Sequence, residues 1–519
     1  MFPSIDTKFQ TKQGSPATMF LYGLIFALSF LQWVEGQDQT KTAVDVNKDA
    51  QLSFSRYPNK PSDSYMDDTL ALDLDGFTDE DSIEDYIDFD KLLNEDEDYP
   101  DEIDDINEDG STGVTVNAEK LVDASFNKKL FLRRFQGKTR IQRLSIVNSD
   151  FAFNLYRSVS ESTPPGENLL LAPLGISSTL GMISLGANGG THEEIYRALG
   201  FESLVNSSSK YNISTVHKLF HRLNHRLFRH NFGYTLKSAS ALYLQRRWPL
   251  LPSYQQCLRK TYFAEAHTVD FKDPATVQRI SHWVSSVTKG TISDAVTNID
   301  PSTVFLVINS VYFKGPWEIK FSKHQTSMRS FRLNDKESVK VQMMQTKASF
   351  LVTTDHELGC DILQLAYQGN VSMILAVPHK LKGGLKTLER ALSFDLLEKW
   401  LQAMTNRTRD VIIPKFNLQQ KYDLKNNLKE MGVTELFQAN ADLSGMTGAK
   451  DVQVSSFQHQ GFIKIDEEGS EAAAVTTVGF TPLTSHNRFV ADRPFVFIVY
   501  EHHTMSVLFL GQVSNPAKN

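Results

Sequence analysis

Two cysteines in 519 residues, Cys257 and Cys360, exclude a disulfide framework. They allow at most one bridge, and a chain of this length has apolar material for a core that needs no staple, so both are expected to be free. Long apolar runs are equally scarce: one stands out, Met19–Val34 (MFLYGLIFALSFLQWV), preceded by Lys8 and Lys12 and followed by Glu35, Gly36 and Gln37. Its length suits a secretory h-region better than a membrane span, and Val34-Glu35-Gly36 offers a small-residue cleavage site; a short membrane anchor is the other reading. Residues 1–36 are therefore expected to be a signal peptide, or 19–36 if Met19 is the start, and the mature protein a secreted one with no membrane partner. There is no Gly-x-Ser-x-Gly elbow, no His-Glu-x-x-His and no phosphate loop, so no catalytic residue or metal ligand is assigned and no enzyme is expected. His502 and His503 lack a second ligand pair at metal-binding spacing and read as structural.

Basic charge is nearly absent between Asp67 and Asp109, where twenty-one Asp or Glu face the single Lys91, a net charge of −20. The whole chain carries −7, so everything outside that stretch carries +13: an acidic tail on a basic body. Residues 37–122 are polar and lack apolar periodicity, which predicts a disordered extension. Within it, Glu80–Leu92 (EDSIEDYIDFDKL) and Glu95–Ile106 (EDEDYPDEIDDI) are approximate repeats centred on Tyr86 and Tyr99. Acidic runs mostly keep a chain solvated, but the duplicated tyrosine among Ile, Phe and Leu supplies apolar anchors that solvation does not require, and points to binding. Carboxylates around both tyrosines favour sulfation in the secretory path. A basic connecting segment follows at 123–148 (Lys128, Lys129, Arg133, Arg134, Lys138, Arg140, Arg143), and the globular domain is expected over 149–519, opening with the helical pattern Ser149–Val159. Secretion gives meaning to the sequons at Asn206, Asn212, Asn370 and Asn406.

Acidic residues are absent from Lys210 to His230 (KYNISTVHKLFHRLNHRLFRH). At 100° per residue Ile213, Val216, Leu219, Leu223 and Leu227 share one face, while Lys218, Arg222, Arg226 and Arg229 share the opposite side. A basic helical face is ordinarily a solvated face, yet exposed helices usually intersperse carboxylates at i,i+4. Aligned cations without counter-charges, with Lys210 beside them, make an anion site for a polyanion: nucleic acid, membrane or sulfated polysaccharide. The signal peptide argues against nucleic acid. The simplest scheme has the acidic tail resting on the basic body until an external polyanion displaces it.

The remaining unusual stretch is Glu467–Thr484 (EEGSEAAAVTTVGFTPLT). Read with period two, Ser470, Ala472, Ala474, Thr476, Val478 and Phe480 form an uncharged face that could enter a sheet. Its alanines and glycine suit a loop equally well.

That pattern resembles the hinge and reactive loop of the serpins, and the resemblance runs from near Ser149 to the C-terminus. It includes Asn168–Glu194 (NLLLAPLGISSTLGMISLGANGGTHEE), Asn309–Trp317 (NSVYFKGPW) with Phe321, Thr326 and Phe331, Ile413–Phe416 (IPKF), Ala441–Gly445 (ADLSG), and Asp492–Phe495 (DRPF) ahead of Phe509–Gly511. Ala172 and Gly175 stand where the family usually has serines. The resemblance implies an α+β serpin fold, helices around a large mixed β-sheet with an exposed reactive loop, in a monomer without prosthetic group. It implies a reactive bond Leu483-Thr484 preceded by Pro482, and a hinge of Glu467, Glu468, Gly469, Ser470, Ala472, Ala473 and Ala474. It assigns Lys210, Lys218, Arg222, Arg226 and Arg229 to glycosaminoglycan, with heparin or dermatan sulfate as the activating polyanion. His221 and His230 replace expected arginines there, which implies weaker or more acid-dependent binding. A serpin carrying two acidic sulfotyrosine repeats implies a plasma inhibitor of thrombin. Leu483 alone suits chymotrypsin-like proteases, so the tail would bind a thrombin exosite. The alternative is a non-inhibitory serpin, a carrier or chaperone, that binds polyanions; the small-residue hinge argues against it.

Overall fold

The computed structural model describes residues 134–204, 213–229, 232–450, 452–468 and 488–518. It opens with helix α1 (Arg140–Ser162). Thr139 Oγ1 accepts from the Gln142 amide at 3.3 Å while Gln142 Oε1 accepts from the Thr139 amide at 3.1 Å, a reciprocal cap. Caps of this kind stabilise a helix start by about 1 kcal/mol. The helix thus begins nine residues before the expected boundary at Ser149 and absorbs part of the stretch read as a connector. Composition misled there because the cations are engaged: Arg134 donates to Asp150 at 2.6 Å, Lys138 to Glu398 at 2.9 Å, and buried Arg143 to the Lys138 carbonyl at 3.0 Å. Ile141, Leu144 and Val147, between them, lie in the core. Lys128, Lys129 and Arg133 lie outside the described residues.

Strand β1 (Leu169–Leu171) leads into α2 (Pro173–Ser184) and α3 (Gly189–Ala198). Every residue of α2 is buried, so its hydroxyls bond internally: Thr179 to the Gly175 carbonyl at 2.8 Å and Ser178 to Asn224 at 3.0 Å. Next come α4 (Ile213–Asn224), a π-helical turn at His225–Arg229, β2 (Thr235–Gln245), α5 (Pro252–Tyr262), β3 (Glu265–Val269), α6 (Ala275–Val287) and β4 (Phe305–Lys314). Strands β5 (Ser327–Arg332), β6 (Ser338–Asp355), β7 (Cys360–Ala366) and β8 (Val371–Pro378) precede helices α7 (Gly384–Ala391) and α8 (Phe394–Ala403). The chain continues through β9 (Thr405–Pro414), β10 (Phe416–Asp423), β11 (Ser456–Ile465), β12 (Arg488–Val490), β13 (Phe495–Glu501) and β14 (Ser506–Val513).

Among the described residues these strands form two sheets. Nine strands run in the order β1-β14-β13-β8-β7-β6-β9-β12 with β5 added to β6; five run in the order β10-β11-β4-β2-β3. Strands β8, β13 and β14 are buried along their whole length, which is why they read as continuous apolar runs without alternation. A second, smaller core lies between α6 (Ile280, Val284) and the five-stranded sheet (Ala239, Ala241, Tyr243, Leu306, Ile308). The fold is the expected α+β arrangement of helices around mixed sheet. Its most consequential detail is that β4 and β11, in the middle of the five-stranded sheet, are parallel neighbours, pairing Leu306–Phe313 with Ser456–Ile463.

Candidate functional site

Strand β11 delivers the chain to Asp466, Glu467 and Glu468, and their backbone is stitched to the segment after β4. Trp317 Nε1 donates to the Asp466 carbonyl at 2.8 Å, the Trp317 amide to that of Glu468 at 3.3 Å, and the Phe321 amide to that of Glu467 at 3.0 Å. The Glu467 side chain is buried and accepts from Thr326 Oγ1 at 2.9 Å and from Lys415 Nζ at 3.0 Å. Burial pushes its carboxyl up, but the Lys415 and Thr326 hydrogen bonds outweigh burial and hold it below the usual range. Lys323 pairs with Glu468. Glu467 and Glu468 therefore form a fixed pivot; sequence reasoning placed them in the hinge by motif and missed Lys415, 52 residues upstream, as the buried partner. Gly469, Ser470, Ala472, Ala473, Ala474, Pro482, Leu483 and Thr484 lie outside the described residues.

Below the pivot, His459 of β11 stands directly opposite Asn309 of β4. The Ala172 amide donates to His459 Nε2 at 3.1 Å, so the ring proton is on Nδ1 and donates to Asn309 Oδ1 at 2.8 Å. Asn309 Nδ2 continues the chain to Ser240 Oγ at 2.8 Å. His459 is fully buried, and burial lowers it to about 3, so it is neutral. Of the two departures noted in the sequence, Gly175 is explained here: it allows α2 to lie against β4, since a Cβ would come within 2.9 Å of Asn309 and 2.8 Å of Val311. Nothing in the structure explains Ala172, whose contact is made by its backbone amide.

A segment that follows β11 and doubles back runs antiparallel to it. Strand β10 already pairs with one edge of β11, so the other edge, facing β4, is the place such a segment can join. Entry there requires eight paired positions and the His459–Asn309 bond to part.

On α4 the apolar face is as expected, with Val216, Leu219 and Leu223 buried, and Leu227 buried in the turn beyond. Lys218 is exposed and Arg222 half-buried. Arg226 does not join them: it is 7% exposed, with Nη2 3.8 Å from the Glu501 carboxylate of β13 and its guanidinium 4.9 Å from the Phe232 ring. On a wheel of 100° per residue Arg226 stands only about 20° from buried Leu219, at the apolar edge of the basic arc, and a π-helical turn begins beside it at His225–Arg229. Glu501 also accepts from the amides of His503 at 3.3 Å and Thr504 at 2.7 Å. Lys210, His230 and the Arg229 side chain lie outside the described residues.

Of the expected modification sites, Asn370 is exposed in the β7–β8 turn at φ 68° and Asn406 is exposed on β9. Asn206, Asn212, Tyr86 and Tyr99 lie outside the described residues. Cys257 and Cys360 are free, and burial pushes the Cys360 thiol up to about 12. His502 shares a 2.8 Å hydrogen bond with Ser372, and no cluster of metal-ligating side chains occurs among the described residues.

A pivot at the end of β11 and a parallel seam beside it define a class of protein. The family model described as "Serpin (serine protease inhibitor)" matches residues 147–516, and the chain belongs to that family; it is a protease inhibitor, not an enzyme. Its particular likeness is to heparin cofactor 2. The chain is 46% identical to heparin cofactor 2 of Rattus norvegicus over 459 residues, 88% of this chain and 92% of that protein. It is 43% identical to heparin cofactor 2 of Homo sapiens over 506 residues, covering 96% and 98%. Among solved structures, human thyroxine-binding globulin in complex with thyroxine superposes with a TM-score of 0.67 at 31% identity, covering 72% of this chain and 99% of that one.

Proposed function

We propose that this chain is a secreted, glycosaminoglycan-activated suicide inhibitor of thrombin, with chymotrypsin-like proteases as further targets. The observation that carries this reading is the pivot beside the β4–β11 seam: a loop anchored at Glu467 has one edge of β11 to enter, and entry would move whatever is attached to its far end. The protease serine oxygen adds to the Leu483 carbonyl and the Thr484 amine leaves, giving an ester-linked acyl-enzyme on Leu483. The hinge Gly469–Ala474 then enters the seam and carries the protease with it, before hydrolysis, until its active site is distorted. Alanine and serine at Ser470, Ala472, Ala473 and Ala474 suit the buried positions such a strand would take.

Leu483 is a poor residue for a trypsin-like pocket with an acid at its base, although Pro482 before it suits thrombin. The acidic tail answers this if Glu80–Ile106, with Tyr86 and Tyr99 sulfated, binds a basic thrombin exosite. About 4 kcal/mol of such contact is worth roughly a thousandfold in rate. Heparin or dermatan sulfate would bind the basic surface at Lys210, Lys218, Arg222 and Arg229 and release the tail. Arg226 stands behind that surface, paired with Glu501. The names of the relatives, which carry heparin, favour this reading, and the apolar run Met19–Val34, read as part of a signal peptide, favours secretion into plasma. A carrier serpin would share the fold, as thyroxine-binding globulin does; the small-residue hinge favours the inhibitor.

The test is thrombin inhibition by the secreted protein with and without heparin or dermatan sulfate, beside a version lacking Asp67–Asp109. Strong acceleration of the intact protein alone supports tail displacement. Equal acceleration of both means that the polysaccharide only bridges protease and inhibitor, and absence of any stable complex with thrombin overturns the proposal.

A further inference from the structure

Helix α5 contains no Asp or Glu, and its only two charges, Arg259 and Lys260, are both exposed. Neither has an ion-pair partner among the described residues, and the same holds for Lys218 on α4. Tyr254, Leu258 and Tyr262 turn into the core, which fixes the outward stripe of α5. Phe263 closes the helix at φ 53°, four residues after Arg259 and three after Lys260, and so lies at the end of their stripe. Its ring is 4.9 Å from that of His221 and 5.7 Å from that of His225. His221 in turn adjoins Arg222 and lies three positions beyond Lys218. One interhelical contact thus joins the exposed pair Arg259 and Lys260 to exposed Lys218 and half-buried Arg222.

Packed helix axes are about 8–10 Å apart, close to the Debye length of about 8 Å at physiological salt, so the fields of the two pairs overlap. Cations in the last turn of a helix also complement its dipole, which explains their sign at this end of α5 but not the lack of acid along the whole helix. The next acid in the chain, Glu265, is engaged by His267 at 2.8 Å.

We infer that the polyanion site is a two-helix surface, in which Arg259 and Lys260 of α5 bind sulfate groups together with Lys218 and Arg222 of α4. This rests on the reading above that a sulfated polysaccharide activates the protein. It also compensates for the inward turn of Arg226, which takes one cation out of the α4 face.

The experiment measures the affinity of the full-length protein for size-defined heparin as a function of NaCl concentration. Proteins compared are the wild type, R259Q/K260Q, K218Q/R222Q and the charge-conserving R259K/K260R. Each ion pair lost should lower the slope of log K against log[salt] by about 0.7–0.9 on the nucleic-acid scale, so both neutralised pairs should lose about 1.5 and R259K/K260R should keep the wild-type slope. Loss of slope in K218Q/R222Q with none in R259Q/K260Q overturns the two-helix surface and leaves α4 alone. Equal loss in R259Q/K260Q and R259K/K260R also overturns it, because the effect would then not follow charge. Wild-type binding without salt dependence is a different result: it overturns the glycosaminoglycan reading itself.

Discussion

Cleavage of Leu483-Thr484 by a chymotrypsin-like protease should raise the thermal stability of the protein, and the structure gives the scale of the effect. In the uncleaved chain β4 and β11 share one parallel ladder of eight paired positions. A strand running back from Glu468 between them would be antiparallel to both, replacing that ladder with two of similar length. The net gain is about eight backbone hydrogen bonds at about 0.5–1.5 kcal/mol each, or on the order of 8 kcal/mol. Antiparallel pairing is also slightly the more stable kind. Against this stands the loss of the His459–Asn309 bond, about 1 kcal/mol if the new strand offers no replacement. In a domain of this size 1 kcal/mol moves the thermal midpoint by no more than about 2 °C, so the net gain of about 7 kcal/mol should give a shift on the order of 10 °C. The assay is limited proteolysis with the cut mapped by mass spectrometry, followed by calorimetry of nicked and intact protein. A clean cut at Leu483 with an unchanged or lowered midpoint would refute the reasoning, because the loop would then have left the seam closed, as a non-inhibitory carrier requires.

Three further outcomes follow from the same geometry. Ala472→Arg should convert the inhibitor into a substrate, since a guanidinium cannot be buried on the inserted face; complex and cleaved product are separated on a denaturing gel, and an undiminished complex band counts against the mechanism. Leu483→Arg should inhibit thrombin faster and with less dependence on heparin while losing its reaction with chymotrypsin, which paired rate measurements would show; unchanged heparin dependence would remove the need for an exosite. Lowering the pH should loosen the fold through His459 and His217, the latter bonded to Tyr262 at 2.6 Å, because burial lowers both to about 3. The unfolded chain takes up their protons near 6.5, so their contribution is complete above that pH and declines as pH falls from 6.5 towards 3. Each should cost about 1 kcal/mol between pH 7.5 and 5.5. Thermal scans at the two values should show a smaller midpoint difference in His217→Gln than in the wild type, and an equal difference would discount the histidine.

The fold was legible because its signals were local. The buried Val, Ile and Phe runs of β13 and β14, the all-buried α2 behind Pro173 and the motif at Asn309–Trp317 each announce an element within their own residues. The start of α1 was also locally encoded, in Thr139 and Gln142, but a run of basic residues around that cap hid it. Charge composition describes solvation only when the charges are unpaired, and Arg134 and Lys138 are paired with Asp150 and Glu398, the second of these 260 residues away. For the same reason Glu467 could be named from its motif but not recognised as a buried anchor, since Lys415 and Thr326 reach it only through the sheet.

Arg226 shows most directly where reading by periodicity stops. A helical wheel assumes that rotation per residue is constant, and for Val216, Leu219 and Leu223 that assumption holds. At Arg226 the wheel is ambiguous, about 20° from buried Leu219 at the edge of the apolar face, and the partner on the inner side is tertiary: a buried carboxylate on Glu501, 275 residues later, that already accepts two amides and lies beside the Arg226 guanidinium. Once buried, that pair is not easily exchanged for a solvent-facing cation, because removing Arg226 would leave Glu501 with an uncompensated charge in the core, a loss of about 3–5 kcal/mol for pairs of this kind. The number of cations that α4 can present to a polyanion is therefore limited by the packing of β13. The exposed charges that can make up the difference lie on the neighbouring helix, at Arg259 and Lys260.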